Sequence, residues 1–424
     1  MPTPSGQPLR ILHAPRNIAG QAGDVVAALR RLGHDAELWE DREEAFGRPA
    51  DRMFGRDLGA KAALALVEEA AGRFDILHFH FARSLVPRGL AELPPFWDLP
   101  VYRALDRRVF FTFHGSDIRI ERIFRAMSPW ATQVPPGPGA DDDRVEQSIE
   151  VMRTYADRLF VTSVNYLEYV PDAAYLPRVI DLAAWPELPV AQRERPVVVH
   201  APTRRDRKGT DQILADLEAL RAEGLEFDLR LLEGLPHLAV REALANADVL
   251  VDNIVAGAYG IVSLEAMACS KVTVANVSGA VARAHPDAPV VPVDPSTFRG
   301  TMRRLLGDPA ERTELALRGR PFVAAVHSAD RVAEQLMAAY TAPQTPIHAR
   351  TMPGWVSPGR TREAAVLESR IARLEADLAR SGRREAELRD RLGLGPDAPS
   401  GARRVARALV PHRLRSRILR AVRR

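Results

Sequence analysis

Cysteine and long apolar runs are scarce in this sequence of 424 residues. A single cysteine, Cys269, excludes an intrachain disulfide framework. No run of about 18 apolar residues occurs, so no membrane-spanning helix is predicted. The first ten residues lack the apolar stretch of a signal peptide. Together these absences predict a cytoplasmic protein.

Positive charge is concentrated at the carboxyl end of the chain. The formal net charge is +4, but residues 401–424 contain nine arginines and no acidic residue, so the remainder carries +4 minus 9, or −5. After Pro411, apolar residues recur every four positions among the arginines. This pattern predicts a basic amphipathic helix suited to an anionic membrane surface on the inner face of the membrane. Nucleic-acid binding is disfavoured because no aromatic platform accompanies the tail; a solvated end is the third alternative.

Short apolar runs alternate with segments of helical period from residue 9 to residue 340. This alternation is typical of a parallel sheet covered by helices on both faces. A Pro-rich stretch, 185–196, divides the pattern in two. The sequence therefore predicts an α/β fold with two doubly wound, Rossmann-like domains, 1–190 and 191–340, which face each other across a cleft.

The segments after residue 340 have a different composition. Residues 341–360 are Pro-rich and predict a linker. In 361–393, seven of the nine positions spaced three and four apart from Ala364 to Leu392 are apolar. This spacing predicts a short coiled coil and hence a homodimer; the alternative is one amphipathic helix docked on its own body. The basic helix of 401–424 completes the extension.

A glycine-flanked turn precedes a predicted helix in the second half. Gly257 and Gly260 lead into a helix that opens at Ile261 and Val262. The free N–H groups of such a helix start suit a phosphate. Glu265, one turn later, either accepts hydrogen bonds from the two hydroxyls of a ribose or only complements the helix dipole.

A basic loop follows the first predicted strand of the second half. It holds four cations and a glycine, among them Arg204, Arg205, Lys208 and Gly209. Such a loop either clamps a diphosphate through charge and bidentate arginine contacts or is a charged surface loop. Lysine is otherwise found only twice in the chain, which favours a function for Lys208.

Histidines follow or lie within two apolar strands of the first half. His114 and Asp117 come directly after the strand at 108–113. Catalytic groups collect at such strand ends, although buried histidines there are also often purely structural. His78 and His80 point to one side of a strand with a spacing that suits a metal, but no further ligand completes a site, so no metal is expected.

These motifs, in this order, resemble the glycosyltransferases of the two-domain GT-B fold, of the retaining family 4 type. The resemblance covers roughly residues 9–340. It rests on the first turn with Gly20 and Gln21, on Leu32-Gly33-His34-Asp35, Phe74-Asp-Ile-Leu-His78, His114-Gly-Ser-Asp117, Lys208-Gly209 and Gly260-Ile-Val-Ser-Leu-Glu265-Ala-Met-Ala.

The resemblance implies transfer of a sugar from a nucleotide-diphosphate donor to an unknown glycan or lipid-linked acceptor. It implies retention of configuration and no metal or other cofactor. Lys208 with Arg204 or Arg205 would hold the diphosphate, Glu265 the ribose, and the amides of Gly260, Ile261 and Val262 a phosphate or the sugar. His114 and Asp117 would face the donor sugar, and Gly20 and Gln21 would lie near the acceptor and the phosphates.

One departure from the family pattern bears on chemistry. The family has a glutamate eight positions before Glu265, where this chain has Gly257. Either Asp252 or Asn253 substitutes for it, or the donor lacks the matching hydroxyl, or the protein is inactive. Two alternatives to a transferase therefore stay open: a non-catalytic scaffold that self-associates through the coiled coil, and a sugar-nucleotide epimerase. Ser270 also stands where glycine is frequent.

Overall fold

The computed structural model describes residues 7–43, 49–86, 94–136, 140–191 and 193–343. Most of the predicted linker 341–360, the predicted coiled coil 361–393 and the predicted basic helix 401–424 lie outside these residues. In the described part of the chain, no helix is both long enough and apolar enough to cross a membrane.

The first lobe is built on a parallel sheet in the order β3-β2-β1-β4-β5-β6-β7. Its central strands are mostly apolar and are buried on both faces, as expected for a sheet between helix layers. Ile11 of the middle strand pairs in register with Ala36 on one side and Ile76 on the other. The strands are β1 Arg10–Ala14, β2 Asp35–Glu40, β3 Arg52–Met53, β4 Ile76–His80, β5 Arg108–Phe113, β6 Arg158–Val161 and β7 Ala174–Tyr175.

The second lobe has a smaller parallel sheet in the order β12-β11-β10-β8-β9. Leu250 of the middle strand pairs with Thr273 and Val199 on its two sides. The strands are β8 Val197–His200, β9 Asp228–Leu231, β10 Val249–Asn253, β11 Val272–Ala275 and β12 Val290–Pro292. The predicted α/β fold with two parallel sheets is confirmed.

Helices connect the strands. Several start with a side-chain cap: Asp141, for example, accepts a hydrogen bond from the N–H of Arg144 (3.1 Å), and Asp308 caps the helix that begins at Pro309. They are α1 Gln21–Arg31, α2 Ala60–Arg73, α3 Leu99–Ala104, α4 Glu121–Met127, α5 Asp142–Tyr155, α6 Arg205–Lys208, α7 Thr210–Ala222, α8 His237–Ala245, α9 Ile261–Ala268, α10 Gly279–Ala284, α11 Phe298–Gly307, α12 Pro309–Val326 and α13 Ala329–Thr341.

The last helix returns to the first lobe. Leu336 and Tyr340 of α13 belong to the same buried cluster as Ile11 and Leu29. The sequence-based division at 190/191 thus separates the two sheets, but it assigns α13 to the second domain, whereas its apolar face completes the core of the first. Arg108 fixes the end of α13 by donating to the carbonyl oxygens of Tyr340 and Ala342.

Candidate functional site

The carboxyl ends of the two sheets carry most of the predicted site residues. Gly20 and Gln21 follow β1, His114 follows β5, Lys208 follows β8, and α9 follows β10. Both sheets lie in one compact unit, and the lobes touch through the hydroxyl of Tyr175, 2.9 Å from Nε2 of His285. The predicted residues thus lie where open α/β sheets bind their ligands.

Asp252, the fourth residue of β10, is at the centre of the second-lobe half of this site. Its Oδ2 accepts hydrogen bonds from the N–H of Gly260 (2.6 Å) and from the hydroxyl of Ser263 (2.7 Å). Its Oδ1 forms an ion pair with Nζ of Lys208. We call Asp252, Gly260, Ser263 and Lys208 the Asp252 cluster. The carboxylate of Asp252 therefore bonds the Gly260 N–H and the Lys208 ammonium, two groups that the sequence assigns to a phosphate.

Charge and hydrogen bonds keep Asp252 ionised although its side chain has no solvent exposure. Burial alone would raise the pKa of this carboxyl. The charge of Lys208 and the hydrogen bonds from Ser263 and Gly260 outweigh burial and hold the pKa below its ordinary value. The cluster is therefore an internally neutralised pair at the amino end of α9.

Two backbone donors at the start of α9 stay available. Among the described residues, no acceptor contacts the N–H of Ile261 or of Val262. Such N–H groups and the positive end of the helix dipole attract an anion. The predicted phosphate-binding amides are consequently Ile261 and Val262, while that of Gly260 is already bonded.

The basic loop divides into an outward and an inward part. Arg204 pairs with Asp206, and Arg205 pairs with Asp211 and Glu233, all at the surface. Of the three predicted cations Arg204, Arg205 and Lys208, Lys208 is the one that pairs with Asp252.

The inward part contains a cation that the sequence did not single out, Arg207. Its pKa is lowered by burial and by the nearby charges of Arg119 and Arg204. Arg119 belongs to the first lobe, where its guanidinium lies 4.5 Å from the ring of Phe124. The charges of Arg119 and Arg207, one from each lobe, therefore act on each other.

Gly209 holds this loop against β10. It ends α6 and precedes α7 with a φ of 74°, a left-handed conformation that favours glycine. A Cβ atom at this position would lie 2.5 Å from Cγ1 of Ile254. The close approach explains why a glycine follows Lys208 and why the loop sits directly on the strand that carries Asp252.

Glu265 lies one turn into α9, as predicted, and has a partner. Its Oε1 is 2.7 Å from Nε2 of His237, the first residue of α8. The ring of His237 makes an edge contact with the ring of Trp185, and the guanidinium of Arg241 lies over the Trp185 ring, 4.7 Å from its centre. The carboxylate is mostly buried, with 8 % of its side chain exposed.

Neither proposed substitute for the missing glutamate is free. Asp252 is taken by the Asp252 cluster, and Asn253 holds its own loop, accepting from the N–H of Ala256 (2.9 Å) and donating to the carbonyl of Ala258 (3.1 Å). Gly257 has a φ of 76°. The loop at 253–258 is therefore a tight, self-bonded turn without a free carboxylate.

A chain of hydrogen bonds leads from the core of the first lobe to His114. Its six members, which we call the histidine chain, are Thr112, His78, Tyr340, His13, His80 and His114. The successive atom pairs are Thr112 Oγ1 to His78 Nε2 (2.6 Å), His78 Nδ1 to Tyr340 OH (2.5 Å), Tyr340 OH to His13 Nε2 (3.2 Å), His13 Nδ1 to His80 Nε2 (2.9 Å) and His80 Nδ1 to His114 Nε2 (3.2 Å).

The imidazoles of this chain are neutral. Burial lowers the pKa of His80 to about 3 and, together with the neighbouring histidines, holds those of His13, His78 and His114 well below the ordinary value. No group of three or more His, Cys, Asp or Glu side chains forms a metal-ligand cluster in the described ranges.

Asp117 and Gln21, two predicted site residues, stabilise the backbone. Asp117 accepts hydrogen bonds from the N–H groups of His114 (3.0 Å) and Gly115 (2.7 Å) and so fixes the turn after β5. The amide of Gln21 donates to the carbonyl of Val179 (2.8 Å) and accepts from its N–H (2.7 Å). Their side chains therefore position the site's backbone, and Gly20 supplies the left-handed residue (φ 77°) before α1.

Solved structures show the same architecture. HepE from Anabaena, in a complex with UDP and glucose, superposes with a TM-score of 0.54 at 13 % identity over 79 % of this chain and 100 % of that one. The chain has the GT-B fold. A glycosyltransferase from Rickettsia africae superposes with a TM-score of 0.53 at 14 % identity, over 81 % of this chain and 100 % of the other. Sucrose-phosphate synthase from Thermosynechococcus elongatus superposes with a TM-score of 0.52 at 16 % identity, over 79 % and 98 %.

The GT-B assignment rests on structure, since neither a family model nor a curated protein matches the sequence. Other superposed GT-B structures include the catalytic domain of starch synthase IV from Arabidopsis thaliana and a protein described as a UDP-N-acetylglucosamine 2-epimerase from Listeria monocytogenes, each with a TM-score of 0.50. At these identities the likeness concerns the fold.

Several residues of the candidate site have no signal in the local sequence. His13 and His237 stand alone in their motifs, and Arg207 is one of four cations in its loop. Asp252 carries a signal in hindsight, because a carboxylate at the end of a buried strand needs a cation or several N–H groups. The sequence offered both, at Lys208 and Gly260.

Proposed function

We propose that this protein is a glycosyltransferase that moves a sugar from a nucleoside-diphosphate donor. The observation that carries the proposal is the start of α9, where the N–H groups of Ile261 and Val262 and the carboxylate of Glu265 lie in the first turns of one helix. Lys208 joins them through Asp252, which pairs with its ammonium and accepts from the N–H of Gly260 at the amino end of that helix. Amides and cation suit the diphosphate, and the carboxylate suits the ribose. The GT-B fold agrees with this arrangement.

The chemistry expected of these groups is stabilisation of a leaving group. When the bond between the sugar and the diphosphate breaks, negative charge grows on the departing phosphate. Preorganised N–H donors and a cation beside that phosphate stabilise the transition state more than the ground state. Arg207, in the same loop as Lys208, is proposed as a further cation for the diphosphate, and the charge of Arg119 from the first lobe acts on it.

Retention of configuration and independence from metal ions are part of the proposal and come from the resemblance to family 4. His114 is proposed to face the donor sugar from the first lobe, with Asp117 holding its turn. Activity that persists in EDTA and a product with the donor's anomeric configuration are the expected results.

The acceptor is proposed to carry an anionic group. Asp41, which directly follows β2, makes ion pairs with Arg16 (3.2 Å) and Arg56 (3.9 Å). The charges of Arg42, Arg83 and Arg56 add to burial in lowering the pKa of Arg16. These four arginines around one carboxylate lie after β1, β2, β3 and β4, on the ligand side of the first sheet. A phosphate-bearing, lipid-linked acceptor or an acidic glycan would suit them.

A non-catalytic scaffold is the second candidate, and two observations favour it. Gly257 replaces a family carboxylate, and Asp252 already neutralises Lys208. Such a scaffold would self-associate through 361–393. Turnover of a sugar nucleotide that Glu265→Ala abolishes would exclude this candidate.

Nucleotide binding is the first experimental test. We expect UDP, GDP or ADP to raise the melting temperature of the full chain; because the HepE structures contain UDP or UDP-glucose, UDP is the first to try. Lys208→Ala should abolish the shift, whereas Arg205→Ala, in the same loop but paired at the surface, should keep it. No shift with any nucleotide would contradict the proposal.

Membrane attachment is tested separately. We propose that residues 401–424 hold the protein on an anionic membrane surface. Full-length protein should co-sediment with anionic liposomes, and a chain ending at Ser400 should not. Equal binding by the two would contradict this part of the proposal.

A further inference from the structure

Only one arrangement of donors and acceptors along the histidine chain gives every N–H and O–H group an acceptor within it or at its outer end. Each neutral imidazole carries one N–H and one acceptor nitrogen, so the donor side of one ring fixes the donor side of the next. The hydrogen bonds can all run from Thr112 toward His114 or all in the opposite sense. Whether the Thr112 hydroxyl donates or accepts therefore determines which nitrogen of His114 carries the proton.

Thr112 decides the direction. In the described part of the chain its hydroxyl contacts only Nε2 of His78 among side-chain or backbone acceptors. If the hydroxyl donates, His78 accepts at Nε2 and every later bond can form. If His78 instead donates to Thr112, the buried hydroxyl proton has no acceptor, and burying an unsatisfied donor is costly.

We propose that the histidine chain fixes His114 as the neutral tautomer with the proton on Nδ1. Thr112 donates to His78, His78 to Tyr340, Tyr340 to His13, His13 to His80, and His80 to Nε2 of His114. The remaining nitrogen of His114, Nδ1, then carries a hydrogen. Of the four histidines in the histidine chain, His114 is partly exposed and the other three are buried.

The consequence for the ligand rests on the function proposed above. A His114 that presents an N–H group donates a hydrogen bond to a sugar or phosphate oxygen and cannot accept a proton at that nitrogen. His78, His13, His80, Thr112 and Tyr340 act as positioning residues.

The surroundings of His114 oppose its protonation. His80 of β4 and Arg178 of the segment after β7 both lower its pKa, in addition to burial. The carboxylate of Asp117 is bonded to the backbone N–H groups of the turn. The ring therefore stays neutral over the physiological range, and the N–H donor persists.

The test is nitrogen NMR of the full chain labelled with 15N-histidine, with His114 assigned from its loss in His114→Asn. We expect His114 to show a protonated Nδ1 and an unprotonated Nε2, with no titration between pH 6 and pH 8. Thr112→Val keeps the side-chain shape but removes the hydroxyl, and should reduce the tautomer preference by about 5- to 150-fold, the range set by one unsatisfied buried donor. Thr112→Ser is the matched control and should keep the preference.

The wild-type spectrum alone can overturn the proposal, so it does not depend on the folding of a variant. A proton on Nε2 of His114, an equal mixture of tautomers, or an imidazolium at pH 7 would each refute it, as would an unchanged preference in folded Thr112→Val. Because the measurement needs no nucleotide, it can fail while the proposed function holds. The converse is also true: absence of nucleotide binding would leave the tautomer result intact.

Discussion

The Asp252 cluster makes a quantitative prediction about stability. Replacing Lys208 with methionine leaves the carboxylate of Asp252 without its cation, although the hydrogen bonds from Gly260 and Ser263 remain. Removing one partner of a buried ion pair costs about 3–5 kcal/mol. Asp252 has no exposed side-chain surface, but Lys208 keeps 18 % exposure. We therefore expect the lower limit, about 3 kcal/mol.

The assay is urea unfolding of the full chain, followed by circular dichroism. Arg205→Met is the control, because Arg205 belongs to the same loop but is 44 % exposed, and solvent screens its ion pairs so that they contribute little to stability. The double variant with Asp252→Asn removes both charges and should recover at least part of the loss. A Lys208→Met variant no less stable than Arg205→Met would refute the reasoning.

The pH dependence provides a second readout of the same pair. Because the folded state holds the pKa of Asp252 below its ordinary 3.8, the ionised pair stabilises the protein above that pH. The contribution is lost as the pH falls toward the folded pKa. The stability difference between wild type and Lys208→Met should therefore shrink in acid.

Three further predictions concern the frame around the site. Burial raises the pKa of Asp98 to about 6, so stability should fall as the pH rises from 4 to 6, and Asp98→Asn should remove this fall in thermal unfolding; an unchanged profile would contradict it. Gly209→Ala should cost at least about 2 kcal/mol in urea unfolding, because a positive φ and the contact with Ile254 both oppose a Cβ; a neutral result would contradict the loop geometry. Gln21→Met should lower the free energy of unfolding by about 2 kcal/mol and speed amide hydrogen exchange at Val179, because it removes both hydrogen bonds between Gln21 and Val179. Unchanged exchange would show that these two bonds do not hold the backbone at Val179.

Periodicity in the sequence was sufficient to predict both sheets. The predicted helix start at Ile261 matches that of α9, because a glycine before a helix is a local signal.

Long-range partners could not be predicted from one sequence. Lys208 and Asp252 are 44 residues apart, and His13 and Tyr340 are 327 apart. No periodicity links such positions, and only the packing of α13 on the first lobe brings Tyr340 to the histidines. Ser270 shows the opposite case: its φ of 56° explains why the family favours glycine there, a reason that the residue letter alone conceals.

The two passages of the chain between the lobes also pair with each other. The N–H of Ile180 donates to the carbonyl of His327 (2.8 Å), and the N–H of Ala329 donates to the carbonyl of Ile180 (3.1 Å). Two crossings tied side by side act as one hinge line, so sliding of one lobe over the other would break both bonds whereas rotation would not. A ligand that closes the lobes is thus expected to rotate them about this hinge line. Cross-linking residues 180 and 328 should therefore leave that rotation possible.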